Sequence, residues 1–136
     1  MTLADITDWV YGLGLTEHVY MSTLPASEKE SIGVYSLSRS GDPIIAVGKQ
    51  SKYGILPVKF LIHWNKYPRQ GQVAATSLFN ALISARDVSI NEDEIKFFKL
   101  LVPTPQDVGP SDDGIYEYVI DAICYYSIDP ERHLGD

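Results

Sequence analysis

Only one cysteine, Cys124, occurs in the 136-residue sequence. A lone cysteine excludes an internal disulfide framework and a zinc cluster built on cysteines. Because its neighbours are apolar, we expect a buried thiol in a reducing compartment rather than a reactive group. No stretch reaches the roughly twenty apolar residues that a membrane span needs, and no basic segment leads into an apolar one at the start. We therefore expect a soluble, unsecreted protein.

Metal-binding and catalytic patterns are also lacking. His18, His63 and His133 are far apart and stand in neither a His-x-x-x-His nor a His-x-Glu arrangement, so we expect no metal. His63 precedes Trp64 at a predicted strand end, and no motif supplies it with a serine, cysteine or carboxylate partner. This favours a residue at a rim or interface over a general base.

The glycines and paired aspartates give no ligand site either. No glycine-rich segment ends in the Gly-Lys-Ser/Thr of a phosphate loop, so we expect no nucleotide cofactor. Asp112-Asp113-Gly114 resembles part of a calcium loop but lacks the alternating acidic ligands and the closing glutamate. A turn is the better interpretation, and we expect a chain without catalytic residues or cofactors.

Positive charge is scarce, with 11 Lys and Arg against 18 Asp and Glu and a net charge of −7. This disfavours a domain that reads nucleic acid, because phosphate contacts depend on Lys and Arg. Residues 1–86 carry eight basic and six acidic residues, whereas residues 87–136 carry three and twelve. The asymmetry fits scattered solvation of exposed faces. It also fits, as the second choice, a subunit with a basic and an acidic side, suited to associating with its own copies or to lining a passage for an anion.

Hydrophobic residues make up 45% of the chain, enough for one domain over 1–136, with a folded core at 1–128 and a flexible tail at 129–136. Thr2 and Asp5 predict the start of a first helix, and Gly14 predicts its end. Its apolar face comprises Leu3, Ile6, Trp9, Val10 and Leu13. A turn at 68–71 leads into a second helix over 72–85, with an apolar stripe of Ala75, Leu78, Phe79, Leu82 and Ile83.

Alternating apolar residues predict the strands. A hairpin is expected from 32–37, a turn at 40–43 and a second run at 44–48, followed by strands at 54–64, 94–102 and 115–128. Residues 20–31 and 103–113 are predicted loops. The expected fold is α+β, with a single mixed, mainly antiparallel sheet of four to five strands and two main helices packed on it. The predicted core is Trp9, Val10, Leu13, Val34, Phe60, Ile62, Leu78, Phe79, Leu82, Ile120 and Cys124.

Tyrosine is abundant, with nine in the chain and Tyr116, Tyr118, Tyr125 and Tyr126 on the last predicted strand. A tyrosine ring packs while its hydroxyl stays hydrogen-bonded, so part of this set fits an association surface. A polar tip at 49–53 and the loop at 103–114 are also expected to contact neighbours. The candidate interface residues are Lys49, Lys52, Tyr53, Lys66, Arg69, Asp112, Asp113, Tyr116 and Tyr118.

Five short motifs follow one another along the chain. They are Leu-x-Asp-Ile-x-x-Trp at 3–9, Ser-Ile-Gly-Val-Tyr at 31–35, Ile-Ala-Val-Gly at 45–48, Leu-Ile-His-Trp at 61–64 and Asp-Gly-Ile-Tyr-Glu-Tyr at 113–118. In this order the sequence resembles the minor capsid and tail terminator proteins of long-tailed, siphovirus-type phages of Gram-positive bacteria. The resemblance covers nearly the whole chain.

The resemblance implies a helix–sheet subunit whose copies form a hexameric ring that caps the tail tube and stops its growth. The implied partners are the chain itself, the major tail tube protein and the connector or stopper protein of the head. The implied location is the head–tail junction of the virion, after assembly in the host cytoplasm. Genome DNA would pass through the ring without specific binding, and no membrane is involved.

Three alternatives stay open. A head-completion or stopper protein is also a small ring subunit. A small enzyme would pair His63 with an acidic residue such as Asp121. A module that binds a small ligand or a host protein through its tyrosines would be a stable monomer with an apolar pocket.

Overall fold

The computed structural model describes residues 1–38 and 53–127. Helix α1 spans Leu3–Gly12 and helix α2 spans Pro68–Ser84. The strands are β1 (His18–Met21), β2 (Ser31–Ser36), β3 (Tyr53–His63), β4 (Val88–Ile90), β5 (Asp93–Leu100), β6 (Gln106–Pro110) and β7 (Tyr116–Ser127). Within these two ranges, neither helix is long and apolar enough to cross a membrane.

These seven strands belong to one sheet. Six of them follow the order β1-β2-β3-β7-β5-β4, and β6 pairs with β7 beside this series. Strand β6 pairs with the first part of β7, through Tyr116–Val119, while β5 pairs with the later part. The β1/β2 pair is parallel and the other pairs are antiparallel. The centre is the β3/β7 ladder, which runs from Tyr53 opposite Ser127 to His63 opposite Glu117.

The predicted start of α1 is confirmed by a capping box. The Thr2 hydroxyl accepts a hydrogen bond from the Asp5 backbone N–H, and the Asp5 carboxylate accepts one from the Thr2 N–H. The helix buries Ile6, Trp9 and Val10. It packs on β1 and β2 and also on β4, which are strands at opposite ends of the sheet order. The sheet therefore curls, and α1 bridges its two edges.

Helix α2 begins at Pro68, four residues before the predicted start at 72. Proline suits the first helical position, because its fixed φ fits a helix. A backbone N–H at that position would have no partner within the helix, so its absence costs nothing. Gly71 lies in the first turn against β7, where a Cβ would come 3.0 Å from the Tyr118 ring. The predicted turn at 68–71 is thus helical, and its glycine permits close packing.

Both helices pack on one face of the sheet. The ring of Trp9 stacks on Phe98 with centroids 5.2 Å apart, and Phe98 meets Phe60 edge to face at 6.4 Å. Nine of the predicted core residues are buried: Trp9, Val10, Val34, Phe60, Ile62, Leu78, Leu82, Ile120 and Cys124. Leu13 and Phe79 are only partly buried at the core's margin, and Ile83, predicted in the apolar stripe, is 47% exposed.

The prediction of four to five strands is wrong, because residues 1–38 and 53–127 alone form a sheet of seven. Strand β1 lies partly in the predicted loop at 20–31, β4 has three residues, and β6 lies in the predicted loop at 103–113. These short segments lack clear alternation, and pairing with a neighbour distant in sequence fixes them instead. The predicted strand at 44–48, its turn and the tail at 129–136 lie outside the described residues.

Cys124 is fully buried on β7, as expected. Burial raises the pKa of its thiol from 9.0 to about 12, because the apolar core disfavours the charged thiolate. The thiolate is the reactive form of cysteine. The native chain therefore carries a thiol that is both shielded and protonated near neutral pH.

Alkylation measures this shielding. Iodoacetamide at mildly alkaline pH is expected to leave Cys124 unmodified in the native protein and to modify it fully in denaturant, as read by intact mass. A Tyr11→Cys variant, whose substituted position is 58% exposed, serves as the reactive control. Native modification of Cys124 at the control's rate would contradict the buried position.

The α2 stripe gives a matched pair of variants for stability. Leu82→Ala is expected to lower the free energy of unfolding by about 2–5 kcal/mol, because it leaves a cavity at a fully buried position. Ile83→Ala, at the adjacent exposed position, is expected to change it by no more than about 0.5 kcal/mol. Urea denaturation followed by circular dichroism measures both. Equal losses would contradict the orientation of α2.

Candidate assembly surfaces

The end of β3 is a hydrogen-bonded junction. The Trp64 N–H donates to the Tyr116 carbonyl at 3.0 Å, and the Tyr116 N–H donates to the Asn65 carbonyl at 2.9 Å. The Glu30 N–H donates to the Trp64 carbonyl at 2.6 Å. This junction therefore holds together the end of β3, the start of β7 and the segment before β2.

Asn65 fixes the start of α2 to the same junction. Its side-chain N–H donates to the Gln70 side chain at 2.8 Å, and its side-chain oxygen accepts from the Tyr67 N–H at 2.9 Å. Asn65 is buried, with 8% exposure, and both ends of its amide are bonded. The first turn of α2 is thus held rigidly beside Trp64.

A surface groove of about 740 Å³ opens beside this turn. We name it the α2 groove and define it by Leu15, Glu30, Trp64, Tyr67, Arg69 and Val73. Its walls are largely apolar, and Tyr67 and Val73 are 63% and 61% exposed. Exposed apolar side chains gathered in a concave surface are typical of a contact site.

A second surface projects from β6 and the turn after it. We name residues 106–113 the β6 arm. A bulge shifts the register between Asp107 and Gly109. Gly109 adopts a φ of +79°, and its N–H donates to the Asp107 carboxylate at 2.7 Å. Because a bulge adds an unpaired residue, it redirects the side chain of Val108, which is 55% exposed.

The turn predicted at Asp112-Asp113-Gly114 is confirmed. The Gly114 N–H donates to the Ser111 carbonyl at 2.8 Å, and Gly114 has a φ of +80°. Both aspartates are exposed. In the part of the chain that the structure describes, neither they nor Asp107 form an ion pair, whereas Lys96 pairs with Asp87 and Glu94 near β4 and β5. The arm is an unpaired acidic surface.

The predicted interface residues fall in different places. Lys49 and Lys52 lie outside the described residues. Tyr53 begins β3 and is exposed, and Lys66 and Arg69 are exposed at the start of α2. Arg69 lines both the α2 groove and a cleft on the other flank of α2.

Tyr116 is partly buried at the junction, and Tyr118 is 6% exposed. The Tyr118 hydroxyl donates to the Pro68 carbonyl at 3.1 Å, and burial raises its pKa above the ordinary value. Tyr118 therefore joins β7 to α2. The interface role of the nine residues as a set stays a prediction.

The other β7 tyrosines also make contacts within the chain. Tyr125 stacks on Phe97 with centroids 4.5 Å apart, and the ring of Tyr126 occupies the space above Gly54. The tyrosines with large exposed fractions are Tyr11, Tyr53 and Tyr67. Of these, Tyr67 borders the α2 groove.

His63 is buried, with 2% exposure, so the expectation of a rim residue is wrong. Its Nδ1 lies 2.8 Å from a Glu117 carboxylate oxygen, and its Nε2 lies 3.1 Å from the Ala26 carbonyl oxygen. Glu117 stands opposite His63 in the ladder, whereas Asp121 stands opposite Lys59. His63 thus ties the segment before β2 to the central strands.

The described ranges contain no group of three or more His, Cys, Asp or Glu side chains that could hold a metal ion. Their exposed features are instead an apolar groove and an acidic arm, both carried on a rigid sheet-and-helix scaffold. The sequence analysis did not predict that Tyr67, Val73 and Val108 contribute exposed apolar surface. The exposure of an isolated apolar residue can be seen only in the folded chain. Exposed apolar and acidic surfaces on such a scaffold are typical of proteins that contact other proteins.

The comparison with known families is consistent with this class. The profile of the family described as bacteriophage tail terminator protein matches residues 3–128. The chain therefore belongs to the bacteriophage tail terminator family, and its role is that of a structural protein of phage tail assembly. Membership implies interaction with other proteins of the phage tail or head. No curated protein matches the sequence significantly.

The His63 contacts generate a stability prediction. His63→Ala is expected to cost about 1–3 kcal/mol of unfolding free energy, because a buried charge-assisted hydrogen bond is lost and Glu117 keeps no imidazole donor. His18→Ala is the matched control: His18 pairs with Glu28, but its side chain is 48% exposed, so about 0–1 kcal/mol is expected. Urea denaturation at neutral pH measures both. Equal effects would argue against the His63 geometry.

Proposed function

We propose that this chain is the tail terminator subunit of a long-tailed phage of Gram-positive bacteria. Copies form a hexameric ring on the end of the tail tube, stop its growth and present a surface to the connector or stopper of the head. The site of action is the head–tail junction of the virion, and the ring is assembled in the host cytoplasm. The observation that carries this proposal is the family match across residues 3–128.

The surfaces support ring formation. A ring made from identical subunits needs two different contact surfaces on each copy, since a head-to-tail contact pairs unlike patches. The α2 groove and the β6 arm differ in shape and charge, as such a contact requires. Exposed ion pairs are each worth only about 0–1 kcal/mol and are screened by salt, so charge orients the subunits while apolar burial supplies affinity.

Net charge bears on DNA passage. The chain carries −7, so a ring of copies is strongly acidic. Carboxylates that face the opening of such a ring would repel DNA phosphates and keep a passing genome from adhering. We therefore propose a passage for DNA without specific binding, and no membrane partner.

We propose no catalytic activity for the chain. The enzyme hypothesis paired His63 with a carboxylate such as Asp121, but the carboxylate that contacts His63 is that of Glu117. The His63 side chain is buried, and its second ring nitrogen faces the Ala26 carbonyl. Catalysis needs a reactive group within reach of a substrate. A ligand-binding monomer would use the α2 groove, and such a monomer would keep its sedimentation coefficient at every concentration.

A phage with a stop codon in the gene for this chain distinguishes terminator from stopper. Without a terminator, tube growth has no stop, so tails longer than wild type are expected in electron micrographs of infected cells. Supplying the chain from a plasmid is expected to restore normal length. Tails of normal length beside heads that lose their DNA would contradict the terminator role and indicate a stopper or head-completion protein.

A further inference from the structure

We infer that the β6 arm of one copy docks in the α2 groove of the next copy, so that helix α2 and its two flanks repeat around the ring. The inference rests on the proposed ring and assigns the contact that closes it. The occupant of the groove is thus a second copy of this chain.

The groove and the arm lie on opposite flanks of α2. The α2 groove follows the flank that carries Tyr67 and Val73. On the other flank, Gln72 and Thr76 border a cleft whose far wall includes Asp107 of the β6 arm. Arg69, in the first turn of α2, lines both the groove and this cleft, whereas Val73 lines the groove alone and Thr76 lines the cleft alone. The inferred contact pairs the arm of one copy with the groove of the next, and a repeated head-to-tail contact of this kind forms a ring when the rotation between copies closes.

Shape favours side-chain insertion by the arm. The bulge at Gly109 displays Val108 beyond the line of the strand, and the groove offers apolar walls at Leu15, Trp64 and Val73. Pro110 has no backbone N–H, so this part of β6 is a poor template for adding a strand. The arm therefore fits a pocket better than it fits another sheet edge.

Charge favours the same pairing. The arm carries Asp107, Asp112 and Asp113, and no lysine or arginine occurs anywhere from 103 to 116. Arg69 lines the groove, and Lys29 and Lys66 are the sequence neighbours of its lining residues Glu30 and Tyr67. Of these three cations, Arg69 belongs to the groove lining, where Glu30 is the one acidic residue, and Lys29 and Lys66 are exposed. The acidic arm therefore suits the end of the groove that carries Arg69.

Disulfide trapping tests the contact in the intact chain. One preparation carries Val108→Cys and a second carries Val73→Cys; they are mixed at ring-forming concentration, oxidised and resolved on a non-reducing gel. Cys124 is buried and serves as a silent background. A crosslinked heterodimer is expected. Tyr11→Cys, equally exposed but on α1, replaces Val73→Cys as the control and is expected to give little product.

Charge reversal adds a second readout. Arg69→Glu in the Val73→Cys partner is expected to lower the crosslinking yield about tenfold, because like charges then face each other. Asp112→Arg in the Val108→Cys partner is expected to restore it. A circular dichroism spectrum unchanged by each substitution confirms that the variants are folded.

Failure of this contact is distinguishable from failure of the proposed function. Wild-type rings seen by sedimentation, without the Val108–Val73 crosslink, would overturn this contact and leave the terminator role intact. A groove cysteine that crosslinks instead to tail tube protein or to a second groove cysteine would also overturn it. A wild-type chain that never self-associates, even on tail tubes, would overturn both the ring and this contact.

Discussion

The pairing of β3 with β7 is the interaction on which the remaining structure depends. The two strands match residue by residue from Tyr53/Ser127 to His63/Glu117, and their shared face supplies Phe60, Ile62 and Ile120 to the core. Strand β2 pairs on the outer edge of β3, while β5 and β6 share the outer edge of β7. Both helices then cover that one apolar face. A slip of one residue would turn this face outward and remove the surface on which they pack.

The exposed surfaces are consequences of how this ladder ends. Where β3 stops, the Trp64 N–H donates to the Tyr116 carbonyl, and the Tyr116 N–H donates to the Asn65 carbonyl. The Asn65 side chain also orients the first turn of α2. Where β7 begins, the turn at 111–114 returns the chain from β6. The α2 groove and the β6 arm are therefore both attached to a single bonded junction. Their separation is fixed by short connections and does not depend on long flexible loops.

Periodicity predicted the long elements, because their apolar faces repeat often enough to be recognised. The face of α1 around Trp9, the alternation of Val58, Phe60 and Ile62 on β3 and the alternating face of β7 are all present. The short strands β1, β4 and β6 were missed, since three to five residues carry too little pattern and their pairing is decided by distant partners. The sequence named Arg69, Asp112 and Asp113 as candidate interface residues, and the structure places all three on exposed surfaces. The exposure of Val73 and Val108 could not be predicted, because it is a property of the folded chain.

The bridge made by α1 has a consequence for the protein's behaviour at high concentration. An exposed strand edge is a template to which another chain can add a strand. When many copies are synthesised together, such edges favour fibre formation. By packing against β1 and β4 at once, α1 places a helix beside both terminal strands of a curled sheet. Strand β6 contains a bulge and a proline, and both make its edge a poorer template for another strand. Backbone polymerisation through these edges is thereby disfavoured even where many copies of the chain accumulate.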